Sequence, residues 1–418
     1  MIQHIPFESG TSVTGNLQIQ VTSRLGLIPI ENARVTISYS NDPDTVLEQV
    51  NTNIVGESET LTLQTPPLDY SLEPDSPQPY SVYNITVEAD GYEPLTVLGS
   101  EILPNVTAIQ PIRLTPLEGV ETDSEIVIPP HTLYGDYTPK IPEAEVKPVS
   151  ETGEIVLSRV VIPETIIVHD GLPDDSSATN YYVNYIDYIK NVVSSEIYAT
   201  WPESSLYANT LAIMSFTLNR VFTEWYRNQG KPFTITSSTA YDQKWIYGRN
   251  IYENVGRVVD DIFNNFLSRP GIKQPILTQY CNGTTTTCAG LSQWGSKYLG
   301  DEGYSPIEII RYYYGNDMYI NSSEFVSGVP SSYPGYTLTR GASGEKVLQI
   351  QEQLNRISQN YPLIPKIAVD GIYGPNTAEA VRVFQSVFNL PQTGTINEAT
   401  WYRISQIYVG VTRIAELI

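Results

Sequence analysis

The chain has 418 residues, 41% of them hydrophobic and 17% charged, a balance ordinary for globular protein and too apolar for global disorder. Its net charge of −22, from 24 basic and 46 acidic residues, excludes nucleic acid as a partner, because no basic face can neutralise phosphates. No apolar run reaches the roughly eighteen residues that would span a membrane, so no membrane span is expected.

The opening "MIQHIPFESG" lacks the basic-then-apolar order of a Sec signal peptide, so secretion by that route is not expected. The charge is unevenly spread. Residues 1–159 hold 6 basic against 23 acidic residues (−17), residues 160–335 hold 11 against 17 (−6), and residues 336–418 hold 7 against 6 (+1). The first third is therefore expected to be a separate electrostatic object.

Residues 1–115 read as β. "NLQIQV", "RVTISY" and "YNITVEADGY" place apolar residues at every second position between Pro, Gly, Asn and Asp clusters, which predicts a half-buried antiparallel sandwich. "VEADGYEPLTV" resembles the carboxypeptidase regulatory-like β-sandwich. Residues 116–159 are rich in Pro and Glu without helical or strand period and read as an exposed, protease-accessible linker.

Helical periodicity begins near Asn184. Tyr185, Ile186, Ile189, Val192, Val193 and Ile197 recur at spacings of three and four, and Glu196 falls on the same apolar stripe. A charge there costs free energy unless it is paired, neutralised or used. By position alone, Glu196 reads as a helix-end glutamate that reaches solvent or an arginine. "TWPE" at 200–203 reads as a capping box, with Thr200 as cap and Glu203 reaching back, and it opens a second helix. "VGRVVDDIFNNFL" predicts a third, through Phe266.

Cys281 and Cys288 are the chain's two cysteines. A disulfide or free thiols are expected rather than zinc, which wants four ligands. No metal and no cofactor are expected. His169 reads as structural, since no Ser or Cys nucleophile motif accompanies it. From Tyr336 onward, apolar spacing predicts a compact three-helix unit, with Asp370-Gly371 turning the chain and Asn376 capping the middle helix.

Three motifs carry resemblances. "LTRGASGEKVLQIQEQLN" followed by "DGIYGPNTAEAVRVFQ" resembles the peptidoglycan-binding domain 1 family. "DYIKNVVSSEIYATWPESSLYANTLA" and "AGLSQWGSKYLGDEGYSPIEIIRYYYG" resemble, in that order, two segments of the stage II sporulation protein D family of lytic transglycosylases. "YCNGTTTTCAG" departs from those relatives by lacking a histidine before "GLSQ". The full arrangement is similar to that of the clostridial spore cortex-lytic enzymes.

The resemblance implies a multidomain α+β protein in four parts: a β-sandwich leader (1–115), a linker cut during activation (116–159), a mainly helical lytic domain (160–335) and a peptidoglycan-binding domain (336–418). It further implies that Glu196 is the catalyst and that spore cortex peptidoglycan is the substrate. The location implied is the cortex or coat region of a spore, with a subtilisin-like germination protease cutting a stored precursor near the Arg159–Val160 junction. Such a glutamate protonates the bond between MurNAc and GlcNAc, then as a base takes the proton of the sugar's own C6 hydroxyl, so one carboxylate suffices. Partial burial of Glu196 is expected, because burial keeps a carboxylic acid protonated nearer neutral pH. Trp201, Asp242, Gln243, Ser292, Gln293 and Tyr312 are the candidate substrate-binding residues; loop hydrogen bonding or core packing would also account for their types. Two other readings stay open: a wall-binding protein without activity, and a muramidase that hydrolyses the same bond with water.

Overall fold

The computed structural model describes residues 13–24, 28–117, 124–134, 137–147, 159–323, 325–326 and 336–412. Within them the chain is a multidomain α+β protein with mixed sheets.

Residues 13–114 form β1 (Val13–Ser23), β2 (Arg34–Tyr39), β3 (Asp42–Asn51), β4 (Leu61–Thr65), β5 (Ser81–Glu88), β6 (Leu95–Ile102) and β7 (Thr107–Leu114), and β8 (Glu125–Val127) falls inside the stretch expected to be a strandless linker. Their alternation is spent as expected: Leu17, Ile19 and Val21 of β1 and Val35 and Ile37 of β2 point into one core. One sheet runs β3-β2-β5-β6-β8. The expected purely antiparallel order does not hold, because β1 pairs in parallel with β7, and β6 with β8. These partners lie far apart in sequence, so no hairpin turn marked them.

The central region contains β9 (Val161–Ile162), β10 (Thr165–His169), β11 (Asn180–Asn184), α1 (Tyr185–Glu196), α2 (Glu203–Phe222), β12 (Ile235–Thr236) and β13 (Ile251–Tyr252). It continues through α3 (Glu253–Ile262), β14 (Asn265–Ser268), β15 (Tyr280–Cys281), β16 (Leu291–Ser292), α4 (Gln293–Asp301), α5 (Pro306–Tyr314), β17 (Tyr319–Ser322) and β18 (Phe325–Val326). Helix α2 is buried on nearly every side and forms the hub, with α1, α3, α4, α5 and β14 packed around it.

Helix α1 is capped by the Asn184 side chain, which accepts from the Ile186 N–H. The α2 cap differs from expectation: Pro202 precedes the helix with no side-chain cap, while the Thr200 hydroxyl donates to Ser71 in the leader. A tertiary partner outcompeted the local one. Likewise α3 stops at Ile262, and Phe266 lies in β14.

The leader is not separate. Strand β13 extends the sheet of β4, β1 and β7, with Ile251 opposite Ile109 and Tyr252 opposite Ala108. Arg249 and Glu101 form a buried ion pair at 3.0 Å, Asn250 bonds both the N–H and the C=O of Glu101, and Gln110 donates to the Gly248 carbonyl. One hydrophobic core runs from Leu17 to Met318. Most of the leader's described acidic side chains are exposed, Glu101 being a buried exception, so the charge count says nothing about its inner face.

The expected exposed linker is a strap. His131, Tyr137, Lys140 and Lys147 are buried, and the strap backbone bonds into the central region: the Ile141 N–H to Ala240 O at 2.8 Å, and the Leu277 N–H to Glu145 O at 2.9 Å. Glu143 pairs with Arg220, and Glu145 with Arg269. The strap's described residues from Ile128 to Lys147 form no helix or strand, yet they have a docking surface. Residues 148–158, next to the expected cut, lie outside the described residues; Arg159 is exposed and Val160 buried.

Helices α6 (Glu345–Ser358), α7 (Pro375–Val387) and α8 (Glu398–Thr412) enclose a second core of Val347, Ile350, Leu354, Phe384, Trp401 and Ile404, among others. Gly371 takes φ +69°, a conformation that favours glycine, and Asp370 accepts from the Ile372 N–H to complete the turn. Asn376 is not the cap of α7; Gly374 holds that position and Pro375 the first turn.

Candidate active site

Helix α1 ends where Ile197 turns to extended backbone, four residues before the Trp-Pro corner, which leaves Glu196 as the last helical residue. Its carboxylate is 0% exposed, so the expected partial burial is in fact complete. Three neutral donors meet it. Oε1 accepts from the Lys244 N–H at 2.8 Å and from the Tyr280 hydroxyl at 3.3 Å; Oε2 accepts from Gln293 Nε2 at 3.1 Å. The same Gln293 nitrogen also reaches the Glu196 carbonyl at 3.1 Å. Gln293 opens α4, whose start is fixed by Ser292: the Ser292 hydroxyl accepts from the Gly295 N–H. Two motifs about a hundred positions apart thus touch through one carboxylate.

The other candidates divide. Asp242 is wholly engaged inside the protein, taking Arg220 Nε, the Tyr226 hydroxyl, and both the N–H and hydroxyl of Thr236. Gln243 accepts from Tyr188 and Thr217 and donates to the Ile213 carbonyl. Both hold the loop that presents the Lys244 N–H to Glu196. Trp201 is buried, donates to the Ser71 carbonyl and packs on Trp294 and Tyr198, so neither ring face is open. Tyr312 is 65% exposed, away from the carboxylate's contacts.

Sequence reasoning missed four contributors. Tyr280 and the Lys244 backbone bond Glu196 directly, and Tyr137 and Lys140 reach the same chamber from the strap. Burial pushes the Tyr280 and Tyr137 hydroxyls well above their ordinary range, with the Glu196 charge adding to each. Burial lowers the Lys140 ammonium, opposed by the Glu196 and Asp242 carboxylates. That ammonium lies 4.6 Å from the Tyr280 ring centre and donates to the Asp242 and Thr239 carbonyls. Tyr280 had one signal, its place beside Cys281; a lysine in a proline-rich stretch had none.

Cys281 and Cys288 are joined in a disulfide, settling the choice left open above, and the bond closes the loop between β15 and β16. Among the described residues no cluster of three or more His, Cys, Asp or Glu side chains could hold a metal ion. His169 bonds Asn180 and the Leu172 carbonyl and stacks on Phe233, a structural placement.

Residues 343–404 match the family model described as "Putative peptidoglycan binding domain". The chain is similar to the zinc D-Ala-D-Ala carboxypeptidase of Streptomyces albus G, 39% identical over 72 residues, which is 17% of this chain and 27% of that protein. It thus spans about a quarter of that relative's length. Among solved structures, the SleB N-terminal domain is 33% identical, covering 18% of this chain and 93% of that one, with a TM-score of 0.16. The minor pilin GBS52 of Streptococcus agalactiae is 11% identical over 27% of this chain and 49% of that one, with a TM-score of 0.18. Likenesses of this extent assign neither fold nor function to the chain. The C-terminal unit is a peptidoglycan-binding domain, which makes peptidoglycan a partner and associates the protein with the cell wall.

Proposed function

We propose that the protein is a lytic transglycosylase of spore cortex peptidoglycan, stored as a precursor, with a sandwich leader, a central lytic domain and the C-terminal domain as its wall anchor. The observation that carries this reading is the Gln293–Glu196 contact at 3.1 Å, which joins the two transglycosylase-like motifs around one buried carboxylate. Glu196 gives its proton to the glycosidic oxygen as the MurNAc–GlcNAc bond breaks. The carboxylate then takes the proton of the muramic C6 hydroxyl as that oxygen closes on C1, forming the 1,6-anhydro ring. Tyr280, Gln293 and the Lys244 N–H hold the carboxylate in place through both steps. Gln293 Oε1 is buried without a protein partner beside Glu196 and is free to accept from a sugar hydroxyl or N-acetyl group once the site opens.

Mass spectrometry of cortex digested by the activated protein tests this. A 1,6-anhydro product lost in Glu196→Gln is expected, with a rate loss of at least ~10²–10⁴ for removal of a general acid. A reducing muramic end identifies a hydrolase instead. Binding without any product identifies a wall-binding protein, a reading that the full enclosure of Glu196 also suits.

A further inference from the structure

A carboxylate without exposed surface cannot meet a glycan until part of its enclosure moves. Most of that enclosure belongs to α1, α2, β15, β16 and α4, fixed by the common core, and to the loop of Lys244, which Gln243, Trp245 and Ile246 anchor in the same interior. The remainder is the strap, which has no helix or strand in its described residues from Ile128 to Lys147. It brings Tyr137, whose hydroxyl reaches the Tyr280 carbonyl at 3.5 Å and whose carbonyl accepts from Thr286, and it brings the Lys140 ammonium over Tyr280. It also carries its own fastenings. Glu143 completes the charge of buried Arg220, the Lys147 N–H and C=O exchange bonds with the Gln274 side chain, and Gln279 holds Ile141 and Glu143.

Resting on the enzymatic reading above, we propose that residues 137–147 are an intramolecular plug seated where the glycan must pass. Lys140 is its key, its ammonium set over the Tyr280 ring and bonded to the Thr239 and Asp242 carbonyls of the loop that holds the catalytic carboxylate. Because the fastenings lie between Tyr137 and Lys147, scission beyond residue 147 leaves every one of them intact. A cut there severs the covalent tie without releasing the plug, so activation has a second step in which the strap is drawn out.

The test uses the full chain carrying a site-specific protease sequence between residues 148 and 158. Amide exchange is followed at Ile141 and Leu277, whose N–H groups bond across the strap, and cortex cleavage is followed in parallel. The cut chain is expected to keep both amides protected and to release no product. Lys140→Met, which keeps the stem and removes the charge, is expected to speed exchange at both amides about ten- to a hundredfold after the cut, with product appearing. Tyr137→Ala provides a second route to the same opening, and unchanged protection in the middle of α2 shows that either variant is folded. Product from the cut chain while Ile141 and Leu277 stay protected overturns the plug, as does opening in Lys140→Met that leaves a previously measurable rate unchanged. Opening in both variants with no product from any form refutes the enzymatic reading and the inhibitory role with it, since the exchange data then show a cover over an inert site.

Discussion

Asp242→Asn separates a residue that frames the site from one that binds substrate. Asp242 Oδ2 accepts three bonds, from the Tyr226 hydroxyl at 2.7 Å and from the N–H and hydroxyl of Thr236 at 2.9 and 2.7 Å. Oδ1 accepts Arg220 Nε at 2.7 Å. The asparagine oxygen can serve the first three donors, which turns its NH2 group against the guanidinium, donor to donor. Arg220 is fully buried and keeps Glu143, at 2.5 and 2.9 Å, as its remaining carboxylate. Losing a charge-assisted bond costs about 1.5–3 kcal/mol, and breaking a buried pair outright about 3–5 kcal/mol. With Glu143 still in place, the expected loss is about 3 kcal/mol. At roughly 2–4 °C per kcal/mol for a domain of this size, the melting temperature falls by about 6–12 °C. The assay is thermal unfolding by circular dichroism, with kcat and KM of the activated protein measured below both melting temperatures. An unchanged melting temperature with a selective rise in KM would refute the framing argument and return Asp242 to the substrate.

The other predictions follow from single features. Deleting residues 336–418 should weaken binding to insoluble cortex far more than turnover of soluble fragments, because the module raises local concentration and adds no chemistry; equal loss on both substrates in sedimentation and turnover assays would contradict this. A chain beginning at Val160 should aggregate or melt early, since it bares the core face that β1, β7 and β13 share; a monomeric, cooperatively melting product in light scattering and calorimetry would show the central region is self-sufficient. Burial raises Glu101 to about 7 against the opposing pull of Arg249, so the folded chain takes up this proton before the unfolded chain does. Stability should therefore fall as pH rises from about 4.5 to 7 and level off above, by on the order of 3 kcal/mol, read as the difference between urea midpoints of the wild type and Glu101→Gln; a pH-independent difference would disprove it. Reducing Cys281–Cys288, which are seven positions apart, should cost about 2–3 kcal/mol by loop entropy and loosen Tyr280 beside Glu196, seen as faster exchange at Tyr280 in dithiothreitol.

Features that depend on near neighbours were legible in the amino-acid order. Leu17, Ile19 and Val21 alternate because a strand offers every second side chain to one face, and Ile186, Ile189 and Val193 recur because a helix returns every 3.6 residues. The C-terminal three-helix unit was legible for the same reason, down to the Asp370-Gly371 turn. Glu196 stood out as an acid on an apolar stripe. What that acid touches depends on contacts between distant segments, Lys244, Tyr280 and Gln293. The pairing of β13 with β7 joins residues about 140 positions apart, and no periodicity in "NIYENV" names a partner edge. Thr200 was expected to cap α2 and bonds Ser71 instead, because the helix begins at Glu203 with Pro202 in the cap position. The strap misled most, since proline and glutamate report that a segment will not form a helix or strand, and nothing more. Whether such a segment lies in solvent or against a core depends on complementary groups elsewhere, here Arg220, Arg269 and Gln274, whose positions are set by the fold of the region it crosses.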